Sequence, residues 1–249
     1  MDLNIANKVA IVTGASRGLG CAAALALVEE GVKVLATGRS KAELEALADA
    51  RPGRIVAASC DMRDMAAVEA LPQRALDAFG RLDIVVNNAG IAPAGAFLDQ
   101  TCEGLGELLA VNVVAPAMLS KAAGAIMVGQ RAGKIINIAS ISGIRGKAVL
   151  VGYSASKGAM LQMTKALAAE WARYNVQVNA IAPGGFGTEA QAAVINNPEV
   201  LRKRVRKIPA SRMAEPHEMG PMVCYLASPL SDFVTGAVLV IDGGETAKI

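Results

Sequence analysis

The residues best suited to chemistry are Tyr153 and Lys157, four positions apart in the run Tyr153-Ser154-Ala155-Ser156-Lys157. On a helix that spacing sets both side chains on one face. A phenol ordinarily keeps its proton up to about pH 10, but a neighbouring ammonium favours the phenolate and so makes a working general base. Such a pair arises often by chance, and taken alone it reads as a surface contact. Ser140 precedes Tyr153 by thirteen positions, close enough for the intervening loop to bring the two hydroxyls together. Its other reading is a turn or capping serine. Asn112, between Val111 and Val113, is an amide in an apolar stretch, where it is costly without partners. It is either a satisfied core group or an anchor in a proton relay.

A second group suits phosphate. The segment Thr13-Gly14-Ala15-Ser16-Arg17-Gly18-Leu19-Gly20 joins an apolar run to an alanine-rich helical pattern. Glycines let the backbone turn tightly and approach a ligand, and the free N–H groups at the helix start stabilise a pyrophosphate. Dinucleotide folds often carry an acid at the end of the second strand, where it binds a ribose hydroxyl. Here Gly38 fills that place, followed by Arg39, which with Arg17 could donate to a 2′-phosphate. That favours NADP(H) over NAD(H); as a plain surface charge Arg39 would carry no such preference. Asp61, in Cys60-Asp61-Met62, could accept from an adenine amino group or cap a helix. Asn87-Asn88-Ala89-Gly90 follows the fourth apolar run, where open α/β sheets bind ligands, or is a plain turn.

These residues sit at the ends of a regular alternation. Strand-like runs cover Lys8–Val12, Lys33–Thr37, Arg54–Ala58, Asp83–Val86, Lys134–Ala139, Gln177–Ala182 and Val238–Ile241, each expected to be covered on both faces. Helical patterns cover Gly18–Glu30, Lys41–Ala50, Asp64–Phe79, Cys102–Gly129, Gly152–Tyr174 and Pro216–Ala227. Right-handed crossovers then give an α/β fold, a single Rossmann-type doubly wound parallel sheet with helices on both faces. No linker or repeat divides residues 1–249, so one NAD(P)-binding catalytic domain is expected, with 185–211 as a mobile substrate loop.

Composition agrees: 53% of residues are hydrophobic and 3% aromatic, which suits parallel strands and rules out disordered or collagen-like classes. A net charge of +3 gives no reason to expect a nucleic-acid partner. The run from Arg202 to Lys207 reads as a solvated helix face or a surface for an anionic substrate. Cys21, Cys60, Cys102 and Cys224 lack any zinc-site spacing and read as small buried hydrophobes in a reducing compartment, so no metal is expected. No apolar run approaches the length of a membrane span, and the cytoplasm is the default location. His217, the only histidine, is placed on the surface or at a cap, and Met160 and Met163 in packing.

Together the glycine segment, Asn87–Gly90, Asn112, Ser140, the Tyr153–Lys157 motif, Pro183 and Gly184 with Thr188, and Asp242-Gly243-Gly244 resemble a classical short-chain dehydrogenase/reductase over essentially the whole chain. The resemblance implies that Tyr153 is the acid/base, that Ser140 holds the substrate oxygen, that Lys157 grips the nicotinamide ribose and lowers the tyrosine pKa, and that Asn112 holds a relay water. Gly14, Ser16, Arg17, Leu19, Gly20, Arg39, Asp61, Met62, Asn88, Ala89, Gly90, Ile138, Pro183, Gly184, Phe186 and Thr188, with Tyr153 and Lys157, become the expected cofactor contacts. The reaction implied is hydride transfer between NADP(H), with NAD(H) possible, and a ketone or secondary alcohol. Within the family the chain looks closest to 3-oxoacyl-[acyl-carrier-protein] reductases and to sugar-acid or polyol dehydrogenases. Arg131 matches a carrier-docking position, but Tyr174, beside Arg173, replaces the second one. The resemblance further implies a homotetramer. A catalytically idle NADP(H)-binding sensor is the alternative of another class, although it would need no phenol beside an ammonium.

Overall fold

The computed structural model describes residues 2–248. Seven parallel strands form one sheet: β1 (Val9–Thr13), β2 (Lys33–Gly38), β3 (Ile55–Ser59), β4 (Ile84–Asn87), β5 (Gly133–Ile138), β6 (Val176–Pro183) and β7 (Val238–Ile241). Their order is β3-β2-β1-β4-β5-β6-β7, so the chain reverses direction across the sheet between β1 and β4. Such a switch leaves a crevice at the carboxyl ends of the strands.

Strand alternation sorts the core into two layers. On β1, Ala10 and Val12 pack on one side with Ala23, Ala24 and Leu27 of α1 (Gly18–Glu29). Val9 and Ile11 pack on the other with Leu119 and Ala123 of a long helix after β4. The period-two pleat makes that division, and both layers are apolar because helices cover both faces. The edges depart from the expectation of full cover. Val56 of β3 and Val240 of β7 stand exposed, because an edge strand has a neighbour on one side only.

The expected helices are present with altered breaks. The pattern at Asp64–Phe79 is two helices, α3 (Met65–Glu69), after α2 (Lys41–Asp49), and α4 (Leu71–Phe79), which restarts at Pro72. The long stretch from Cys102 is α5 (Cys102–Leu109) and α6 (Ala115–Gln130) with a π-helical turn, Ala110–Val114, between them. Contrary to expectation this run is long and apolar enough to cross a membrane by composition, and half of its most apolar window is buried in the fold. It is followed by α7 (Val151–Trp171), which passes close to α6: a Cβ on Gly124 would lie 2.6 Å from the Trp171 ring, so glycine permits the approach.

Residues 185–211, expected as a mobile insertion, hold a 3-10 turn and two helices, α8 (Ala192–Ile195) and α9 (Pro198–Val205). Asn197 caps α9 by accepting from Glu199 N and Val200 N, Pro198 opens it, and Arg202, Lys203 and Arg204 crowd its last turn. Cations at that end suit the helix dipole. The last helix, α10 (Gly220–Ala227), follows a 3-10 turn that carries the exposed His217. Cys60 and Cys224 are buried and Cys21 half-buried, but Cys102 is exposed at the start of α5, against its expected burial.

Candidate active site

The glycine segment is shaped by close packing. Gly14 and Gly18 adopt positive φ, 65° and 57°, which L side chains rarely tolerate. A Cβ on Gly20 would lie 2.1 Å from the Gly14 carbonyl oxygen and 2.4 Å from Asn88 Nδ2, so only glycine lets α1 approach the loop. The start of α1 has no side-chain cap and no acid in its first turn. Its N–H groups therefore remain available to an anion. Asn88 N and Ala89 N donate to Thr13 Oγ1, at 2.9 and 3.0 Å, while Asn88 Nδ2 donates to the Thr13 carbonyl at 2.8 Å. Asn88 thus knits the loop after β4 to the loop after β1.

At the end of β2, Gly38 contributes no side chain, and Ser16 Oγ lies 3.6 Å from where its Cβ would stand. Arg17 and Arg39 border the same space. Asp61 is held by Arg63, whose Nε donates to it at 3.0 Å, and these bonds lower its carboxyl to about 2. The helix that follows is capped by Asp64, which accepts from Ala67 N, and not by Asp61.

At the reactive end the π turn positions Asn112. Pro116, four residues on, has no N–H, so the Asn112 carbonyl lacks the partner an α-helix would supply, and the ladder slips to Ala115 N donating to Ala110 O. The fully buried Asn112 side chain accepts from Ile91 N at 2.8 Å and donates to Ile91 O at 2.9 Å and Ser156 Oγ at 3.0 Å. Ser156 in turn donates to the Tyr153 carbonyl at 2.7 Å. The Asn112 amide is fully partnered, which fits the satisfied-core reading, while its carbonyl, without an α-helical donor at Pro116, leaves the relay reading open.

Ser140 caps a 3-10 turn by accepting from Ser142 N at 3.0 Å, and its hydroxyl also bonds the Tyr153 phenol. The same serine thus caps the turn and stands beside the phenol. Lys157 is buried in α7 and donates to the Ile138 carbonyl at 2.7 Å. Burial lowers its ammonium to about 8. Tyr153 moves the other way: burial raises its phenol, and the Ser140 bond only partly opposes that. Contrary to expectation, Lys157 is not among the groups that shift it: its ammonium stands over the ring face, 5.8 Å from the centroid, and gives its hydrogen bond to Ile138.

One cleft of about 610 Å³ joins both ends. Gly14, Ser16, Arg17, Leu19, Arg39, Asp61, Met62, Asn88, Ala89, Gly90, Ile138, Ser140, Tyr153, Lys157, Pro183, Gly184, Phe186 and Thr188 all line it. Gly20 and Asn112 stand behind it as supports. Sequence reasoning missed Lys147 and Glu245, which also line the cleft, together with Arg204 of the basic run. Arg204 pairs with Glu245 through two bonds of 2.8 and 2.7 Å, across forty-one residues of chain. The basic run is therefore divided, since Lys203 pairs with Glu199 on the surface. No spacing signal links 204 to 245; only the fold brings them together. Arg131 and Arg173 lie outside the cleft lining: Arg131 Nη2 donates to the Arg173 carbonyl, and Arg173 stacks on Tyr174.

Comparison with known proteins agrees with this geometry. A family model described as enoyl-(acyl carrier protein) reductase matches residues 14–246. The 3-oxoacyl-[acyl-carrier-protein] reductase of Vibrio cholerae is 35% identical, over 97% of this chain and 98% of its own. The 3alpha-hydroxysteroid dehydrogenase of Mediterraneibacter gnavus is 36% identical over 98% of both. Among solved structures, a candidate gluconate dehydrogenase from Agrobacterium tumefaciens superposes with a TM-score of 0.95 at 30% identity, covering 100% of each chain. A candidate NAD(P)-dependent gluconate 5-dehydrogenase from Beutenbergia cavernae, with bound NADP, gives 0.92 at 35% identity over 100% of each. With the glycine-lined crevice, the Ser140–Tyr153–Lys157 cluster and relatives matched end to end, the chain belongs to the short-chain dehydrogenase/reductase family, whose members named here are oxidoreductases acting on alcohol and ketone groups.

Proposed function

We propose that the protein interconverts a ketone and a secondary alcohol with NADP(H), using Tyr153 as acid/base. The observation that carries the reading is the convergence of Ser140, Tyr153 and Lys157 in the same cleft as the uncapped start of α1. The residues fit the dinucleotide. Gly14 and Gly20 leave a cradle that a Cβ would fill, and the α1 N–H groups suit its pyrophosphate. Arg17 and Arg39, beside the vacant side-chain position at Gly38, suit a 2′-phosphate, and the Beutenbergia structure holds NADP. When bound, the nicotinamide supplies or accepts the hydride.

The chain's own groups handle the proton and the oxygen. In reduction the Tyr153 hydroxyl protonates the developing alkoxide while the Ser140 hydroxyl holds the same oxygen by a hydrogen bond. In oxidation the phenolate takes the proton. Lys157 holds a positive charge over the Tyr153 ring and would meet a ribose, and the Asn112 carbonyl would offer an acceptor to a water behind it. An idle sensor would need none of this pairing. The relatives act on acyl thioesters and hydroxysteroids by name, so the family match leaves the substrate open. Carrier-protein docking is weakened by Tyr174. The fold's exposed Phe233, Leu230 and Val240, at and near the free edge of β7, support association into the homotetramer that the family resemblance implies.

Replacing the phenol separates the roles. Tyr153→Phe is expected to lower kcat/KM with any ketone substrate by at least about a hundredfold, while the Kd for NADPH, read by fluorescence titration, stays within about twofold. Residual activity near wild type would end the assignment.

A further inference from the structure

The mouth of the cleft carries a charge arrangement that hydride transfer does not require. Lys147 comes from the loop between Ser140 and Tyr153 and lines the cleft with both of them. Its position is fixed from α7, since its backbone N–H donates to Ser154 Oγ at 3.3 Å, one residue beyond the phenol. Arg204 and Lys207 act on its ammonium as like charges, and among the described residues Glu245 is the one opposite charge that acts on it. Glu245 is already engaged, because both of its carboxylate oxygens accept from Arg204. Among the described residues, neither Lys147 nor Lys207 has a carboxylate within ion-pair distance.

We propose that Lys147 receives a carboxylate carried by the substrate itself, so that the enzyme's substrates are hydroxy or oxo acids rather than neutral alcohols and ketones. The assignment rests on the oxidoreductase reading and adds the substrate class to it. Lys147 is exposed to the cleft and stands beside two like charges without a carboxylate of its own, so an anion that enters the cleft meets an unpaired cation in a positive field. Partial burial and its cationic neighbours do hold Lys147 below the ordinary lysine range, in keeping with that field. The Arg204–Glu245 pair acts differently. A guanidinium whose charge is already matched by a carboxylate gripped at two points attracts a further anion less than an unpaired cation does, so Arg204 walls the site and leaves Lys147 as the unpaired charge beside it. A ligand carboxylate on Lys147 would sit in the cleft that holds Tyr153 and Ser140, with the reacting carbon elsewhere on the same small molecule.

The test uses the full-length protein loaded with NADP+ and two matched pairs of probes, D-gluconate with D-glucitol and 3-hydroxybutanoate with 1,3-butanediol. Calorimetric titration gives each Kd, and formation of NADPH is followed separately. In the wild type the acid of at least one pair is expected to bind about tenfold more tightly than its neutral partner, the scale of one hydrogen bond to a charged group. Lys147→Met should bring that pair to within about twofold, and Lys147→Arg should keep most of the preference. The Kd for NADP+ should be the same in all three proteins. Absence of an acid preference in both pairs, or a preference that survives Lys147→Met, overturns the assignment. If the preference follows Lys147 but no probe is oxidised, the carboxylate site stands and the oxidoreductase reading is what fails.

Discussion

Tyr153 is under two opposed influences, burial that favours the neutral phenol and a Ser140 bond that favours the phenolate, and burial wins. A raised phenol has a definite sign in kinetics. Oxidation needs the phenolate, so its kcat/KM should climb with pH across the neutral range, by about tenfold per unit below the phenol's pKa. Reduction needs the phenol, so its rate should stay level there and fall only at alkaline pH. A pH profile in both directions checks this, and an oxidation rate that ignores pH would remove Tyr153 as the base. Lys157, lowered to about 8 by burial, begins to lose its charge as pH rises through that value and should flatten the oxidation limb. At this scale the sequence was informative about which residues matter and silent about their balance. The four-residue spacing of Tyr153 and Lys157 put them on one face, but only the three-dimensional setting shows that the ammonium turns to Ile138 instead of the phenol oxygen.

Among the elements, the strands were the easiest to read, because unbroken apolar runs such as Val9–Val12 are what a strand buried on both faces requires. The breaks were harder. Pro116 signals that the helical ladder must slip near Asn112, yet a proline near a helix start is ordinary, and the π turn depends on tertiary partners such as Ile91 and Ser156. Residues 185–211 read as loop for want of a strand, while Asn197 and Pro198 mark a helix start inside it. The glycines test how tightly elements approach. Gly20→Ala forces a Cβ to 2.1 Å from a carbonyl oxygen and should cost about 1–3 kcal/mol by overpacking, with loss of NADPH binding. Gly106→Ala, inside α5 with nothing within 4 Å of the new Cβ, should stabilise by about 0.5–1 kcal/mol. Urea denaturation of both variants decides the matter, and equal effects would contradict the packing described.

At the scale of the molecule, one sheet edge is unfinished. β7 pairs with β6 alone, and the fully exposed Phe233 stands near it with Leu230 and Val240. Exposed apolar groups beside an unpaired strand are commonly covered by a second copy. Sedimentation should therefore report a tetramer for the wild type and smaller species for Phe233→Glu, and an unchanged mass would place the contact elsewhere. The seam between α6 and α7 offers a way to watch the folded protein. Trp171, pressed against Gly124, is the chain's sole tryptophan. Excited at the red edge of its absorption, where the three tyrosines are silent, its emission has a single origin, and any change of colour or intensity can be assigned to that helix pair without attaching a dye.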